Sequence, residues 1–155
     1  MMSQRNLMLL AAMGSLAMLL GAFGFQYIGG MAPCKLCLWQ RWPHAAAVLI
    51  GAIALIWPYR ALAFAGAIAA LTTAGLGVYH TGIERHWWQG PVTCTSGSVS
   101  GVSAEDLLNQ ILAAPVVRCD EVAWEMLTLS MASWNTIASV AFALIWLAAA
   151  QRSAR

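Results

Sequence analysis

The residues of this 155-residue chain best equipped for chemistry are its four cysteines, and they fall into two unlike pairs. Cys34-Lys35-Leu36-Cys37 follows Pro33 and immediately precedes an apolar run of helical length. The second thiol therefore meets free backbone N–H groups and the positive end of a helix dipole, and both make a thiolate more available. Arg41 stands four residues beyond Cys37, one turn away on the same face if the helix has begun there. A permanent cation beside a membrane snorkels to a lipid phosphate or takes a partner inside, and a thiolate or an acceptor oxygen would serve.

Cys94 and Cys119 would close a loop of 24 intervening residues if bonded to each other. Exported cysteines pair by default, so a purely structural disulfide is one account of them. The CxxC adds another, because two dithiol pairs on one face exchange disulfides by thiolate attack and so form a relay. Structural zinc sites show two close-spaced ligand pairs, which Cys94 and Cys119 do not supply, and no metal is expected. His80, near the end of an apolar run, is placed either to donate to a bound head group or to be satisfied by a neighbouring helix. His44 and His86 carry no case beyond an interface position.

Positioning these residues requires elements that belong in a bilayer. With 61% hydrophobic and 9% charged residues, the chain has too little polar surface to wrap a soluble globule, and a net charge of +2 is too small to suggest nucleic acid. Four uncharged runs extend from Leu7 to Ile28, Trp42 to Tyr59, Ala61 to Ile83 and Met126 to Gln151, the second helix starting near Leu38, ahead of Pro43. They predict an all-α membrane protein, a single domain of four transmembrane helices with spans at about 7–28, 39–57, 61–82 and 128–150 and outer loops at about 29–38 and 83–127. A signal peptide has an apolar core of about 7–15 residues, shorter than the first run, which is therefore read as a span.

The segments around Arg5, Arg60, Arg152 and Arg155 are basic, whereas all six acidic residues fall between Glu84 and Glu125. The positive-inside rule then puts both termini in the cytoplasm and all four thiols on the exported face. Trp39, Trp42, Trp87, Trp88, Trp124 and Trp134 near one boundary, and Trp57, Tyr59 and Trp146 near the other, suit an aromatic belt. Within the long outer loop, Thr95 to Ser103 reads as a flexible connection. Ser103-Ala104-Glu105-Asp106 then opens a short interfacial helix that Pro115 stops.

Taken in order, the run Pro33 to Arg41, the pair Cys94 and Cys119 between spans three and four, the stretch Cys119 to Trp124, and Trp134-Asn135 make the chain resemble the disulfide bond formation protein B family, quinone-linked membrane thiol oxidases. The resemblance covers nearly the whole chain. It implies a protein-disulfide:quinone oxidoreductase of the bacterial inner membrane, with a periplasmic DsbA-like thioredoxin-fold oxidase as partner and ubiquinone or menaquinone as cofactor. It further implies that the reduced partner attacks Cys94, that Cys119, its original disulfide partner, then attacks Cys34, and that Cys37 is released as a thiolate facing the quinone. The same resemblance implies that Arg41 polarises the quinone ring and makes His80 a weaker candidate for the same pocket. Lys35 departs from the apolar residue often found inside this motif, and its charge bears on the stability of the Cys34–Cys37 bond. A donor near about −120 mV is already a strong oxidant, so only a more oxidising sink completes the cycle, and a quinone in the bilayer is one.

Three rival readings make different demands. A vitamin K epoxide reductase type of enzyme also uses CxxC and loop cysteines but places the loop pair first, opposite to the order here. A scaffold with two structural disulfides leaves Arg41 without a role, and an electron exporter tends to carry cysteines within its spans, which these runs lack.

Overall fold

The computed structural model describes residues 2–91, 103, 105 and 117–152. Four helices dominate it: α1 Gln4–Tyr27, α2 Lys35–Ala54, α3 Arg60–Glu84 and α4 Met131–Ala150. Ser3 caps α1 by accepting the Asn6 backbone N–H at 3.3 Å, and Ser130 caps α4 by accepting from Ser133 at 3.2 Å. Each cap satisfies one of the donors that a helix start leaves free. α2 is capped by sulfur, because Cys34 Sγ accepts the Cys37 N–H at 3.1 Å. The helix consequently begins at Lys35, ahead of Leu38.

α1, α3 and α4 are each long and apolar enough to cross a bilayer, which makes this a multi-pass membrane protein. α2 is less uniformly apolar, since it carries Lys35, Gln40, Arg41 and His44. Each helix packs on its neighbours in the chain, and α4 closes the ring against α1, giving a four-helix bundle. Small residues set the spacing. Ala11, Ala12, Ala54, Ala63, Ala67, Ala70 and Ala143 fill one end of the bundle around Met8 and Trp146. A Cβ at Gly66 would run into the Trp146 indole, and one at Gly77 would meet the Thr136 hydroxyl and, at 3.1 Å, the Ala132 carbonyl. α3 and α4 thus approach closely along their length.

Two expectations are corrected. Trp146 is fully buried in the bundle and does not belong to an aromatic belt. The fourth helix begins at Met131, later than the apolar run from Met126 suggested, because β1 Glu125–Met126 and β2 Leu129–Ser130 form a hairpin just before it. Leu127 and Thr128 take positive φ of 54° and 65° at its turn, the handedness that a two-residue hairpin requires. Trp134 Nε1 donates to the Met126 carbonyl at 3.1 Å and ties the hairpin to the first turn of α4. The expected connection from Thr95 to Ser103 and the interfacial helix from Ser103 to Pro115 lie outside the described residues, apart from Ser103 and Glu105.

Candidate thiol redox site

At the end of the bundle away from Trp146, a second apolar cluster gathers Cys34, Leu36, Ile83 and Cys119, with Cys37, Tyr79 and Val117 against it. Three of the four cysteines therefore meet at one place, and Cys94 lies outside the described residues. The Cys34 and Cys37 sulfurs are 2.7 Å apart, and all three of these thiols are free. Such a pair lacks only the loss of two electrons and two protons to close.

Both sulfurs sit at the first turn of α2, ahead of the stretch expected to cross. The Cys34 thiol donates to Cys37, and this contact with burial pushes the Cys34 thiol up. The same hydrogen bond is the main reason Cys37 is held below the ordinary thiol value. The thiolate thus falls on Cys37, as the spacing suggested, but for a different leading reason. Cys34 takes the helix N-cap N–H, and Arg41 makes only a small contribution to Cys37.

Cys119 is fully buried although it sits in a loop. The flanking Arg118 and Asp120 form a two-pronged pair outside it, Nε to Oδ1 at 3.0 Å and Nη2 to Oδ2 at 2.6 Å. Arg118 holds the Asp120 carboxyl below its usual range.

His80, on α3, comes up to the cysteines, with Nε2 3.6 Å from Cys34 Sγ. Behind it runs a set of buried polar contacts through the bundle. Gln40 Nε2 is 3.0 Å from His80 Nδ1, Asn135 Nδ2 donates to Gln40 Oε1 at 2.7 Å, and His44 Nε2 is 2.8 Å from Asn135 Oδ1. Polar groups among apolar helices are costly without partners, and these supply one another. Gln40, His44 and Asn135 were not singled out as site residues by spacing. His44 in particular is buried inside the bundle, and the interface position assigned to it is corrected. The available signal was the pair Gln40 and His44, two polar residues one turn apart in a helix that must sit among apolar neighbours.

A cavity of about 250 Å³ opens beside the thiols. Cys37, Gln40, Arg41, His44, His80 and Asn135 supply its polar wall, and residues of α1 together with Trp124 supply much of the apolar remainder. Phe25 packs on Trp124 with ring centroids 5.4 Å apart, joining the segment after Cys119 to α1. Arg41 turns toward α1: Nη1 donates to Gln26 Oε1 at 2.6 Å and Nη2 to the Ala22 carbonyl at 3.4 Å, with the guanidinium 4.9 Å from the Phe23 ring centroid. Its Nε is buried and has no partner among the described residues.

Cys34, Cys37 and His80 offer three ligand atoms within 4.8 Å of one another, a spacing that a metal ion could also use. The site is nonetheless suited to thiol chemistry on its own terms. A buried acceptor sulfur, a stabilised thiolate, a neighbouring third thiol and an apolar cavity are the parts that disulfide exchange with a membrane-borne acceptor needs.

Fold and site together define a class: a multi-pass helical membrane protein with a close-spaced dithiol at one end of its bundle. The chain belongs to the disulfide bond formation protein DsbB family, whose model matches residues 4–149. It is 32% identical over 145 residues to disulfide bond formation protein B 2 of Pseudomonas aeruginosa, covering 89% of this chain and 85% of that one. Disulfide bond formation protein B of Herminiimonas arsenicoxydans is 29% identical over 162 residues, with 98% of each chain covered. That of Polaromonas sp. is 24% identical over 163 residues, covering 97% and 93%. No solved structure gives a significant match. Family membership makes this an oxidoreductase of disulfide bond formation.

Proposed function

We propose that the protein reoxidises a periplasmic DsbA-like thioredoxin-fold oxidase by disulfide exchange and passes the two electrons to a quinone held in the cavity beside Cys37. The observation that carries this reading is the shared wall: Cys37 and Arg41 line one apolar cavity, and the Cys37 thiolate is stabilised at its edge. The residues fit a quinone head group. Its carbonyl oxygens only accept hydrogen bonds, and the cavity offers the Arg41 guanidinium, whose Nε has no other partner among the described residues.

The bonds change in sequence. A partner thiolate attacks Cys94 Sγ in a Cys94–Cys119 disulfide. The Cys94–Cys119 bond breaks, a partner–Cys94 disulfide forms, and Cys119 leaves with the electron pair as a thiolate. The partner's second thiolate resolves that mixed disulfide, releasing Cys94. Cys119 attacks Cys34 in the Cys34–Cys37 disulfide, and Cys37 leaves as the thiolate, at the position where the hydrogen bond from Cys34 already favours charge. Cys94 then attacks Cys119, which re-forms the Cys94–Cys119 bond and frees Cys34, so that the Cys34–Cys37 bond can close again as two electrons leave. A bound quinone, ubiquinone or menaquinone, would supply the sink for those two electrons, with two protons. Arg41 brings its charge and its Nε, unpartnered among the described residues, to the cavity wall while Gln26 and Ala22 hold its other two nitrogens, and the apolar wall limits competing water.

This reading places the thiols on the exported face of the inner membrane and both termini in the cytoplasm. Alkaline phosphatase fused within Thr95 to Ser103 is expected to be active and the same fusion after Arg155 silent. In cells lacking the protein, the partner oxidase should accumulate in its reduced form and return to the oxidised form when the gene is restored. A partner that stays oxidised without the protein, or an active fusion after Arg155, would overturn the reading.

A further inference from the structure

The buried contacts behind the thiols have a direction, which the chemistry of each group fixes. Thr73 Oγ1 donates its one proton to the Gln40 backbone carbonyl at 3.2 Å. Toward Asn135, 3.2 Å away, that oxygen can only accept, so the Asn135 atom facing it is the amide nitrogen. Asn135 Nδ2 also donates to Gln40 Oε1, which turns the Gln40 amide nitrogen toward His80 Nδ1. A nitrogen receiving an N–H carries no proton of its own, so the His80 proton sits on Nε2. His80 also meets the Cys119 backbone, whose carbonyl is an acceptor that an Nε2–H can serve. At the far end, Asn135 Oδ1 accepts from His44 Nε2. From His44 to Cys34 every donor points the same way.

A lone Nε2–H tautomer cannot take a proton from Cys34 through that nitrogen. It can only donate, and the acceptors around it are the Cys34 sulfur at 3.6 Å, the Cys119 backbone carbonyl and the Glu84 carboxylate at 3.8 Å. The Ser130 hydroxyl donates to Glu84 and occupies part of that carboxylate. One N–H is therefore shared between the two residues whose sulfurs must bond.

We propose that His80 is a positioning residue for the exchange between Cys119 and Cys34, locked as an Nε2–H donor by Gln40 and Asn135, and that it acts on this step rather than on quinone binding. The inference deepens the proposed relay and rests on its Cys119-to-Cys34 step. In that step the Cys119–Cys34 bond forms as the Cys34–Cys37 bond breaks, and the electron pair leaves on Cys37. The His80 N–H holds the Cys119 backbone beside the Cys34 sulfur and offsets charge gathering there, while its own proton stays in place.

The test needs no quinone, so its failure is distinct from failure of the quinone reading. In full-length protein labelled with ¹⁵N-histidine, the His80 nitrogens should show the Nε2–H tautomer. Gln40→Met, which removes the donor to Nδ1, should introduce the Nδ1–H form. The exchange itself is read in a quinone-free Cys37→Ser, Cys94→Ser background. One equivalent of an aryl disulfide reagent caps one of the two remaining thiols with release of one coloured aryl thiolate, and closure of the Cys34–Cys119 bond then releases the second. Adding Gln40→Met or His80→Ala should slow that release about tenfold, the loss expected for one hydrogen bond at the reacting atoms. An Nδ1–H tautomer in the unsubstituted protein, or closure at an unchanged rate in both variants, would overturn the proposal.

Discussion

Cys37→Ser is expected to reduce quinone reduction to the uncatalysed background with every electron donor, whereas Cys94→Ser should abolish turnover only with the protein partner. The two substitutions remove the same atom from different ends of one relay. Cys37 lies on the cavity wall, and its thiolate is stabilised by the hydrogen bond from Cys34. A serine hydroxyl there can neither leave from sulfur nor pass on the electron pair. Cys94 is the proposed contact with a macromolecular donor, and a small dithiol that reaches the CxxC bypasses it. Quinone absorbance, followed with a small dithiol and then with a reduced thioredoxin-fold protein, separates the two. Identical behaviour of both variants with both donors would show that the pairs do not have separate roles.

The second large effect belongs to Arg41. Replacing it by methionine should lower kcat or raise KM for quinone by roughly tenfold to a hundredfold, the range for losing a charge-assisted hydrogen bond. Partner exchange at Cys94 should continue at its normal rate. The geometry sharpens this control, because Arg41 also joins α2 to α1 through Gln26 and Ala22. A loosened bundle would slow both steps together, whereas a quinone-site role slows only the second. Lysine keeps the charge but not the planar donor array. Arg41→Lys should therefore retain most activity if charge alone is needed and lose it if a carbonyl is hydrogen-bonded. Mixed-disulfide formation, measured beside quinone reduction in Arg41→Met, decides the matter, and equal loss in both would refute the quinone-site role.

The four helices could be read from the chain because long uncharged runs have few alternatives in a bilayer. The hairpin before α4 could not, since Met126, Leu127 and Leu129 continue the apolar pattern, and only the positive φ of Leu127 and Thr128 breaks the helix. Trp146 read as a boundary residue by its position near the chain end, while the small residues of α3, Gly66 among them, make room for it inside. At the site, the CxxC and its arginine were visible as local spacing. The contacts from His44 through Asn135 and Gln40 to His80 were not, because they join residues of α2, α3 and α4 that no local pattern relates.

The claim at the centre of this account is that electrons from thiols leave the protein on a quinone. An oxygen-free titration of purified protein with a small dithiol, in the presence of excess quinone, tests it most directly. The account predicts one quinone reduced for each dithiol oxidised, with no reduction in Cys37→Ser. Dithiol oxidation that stops when the protein's own disulfides are consumed, with the quinone absorbance unchanged, would contradict it.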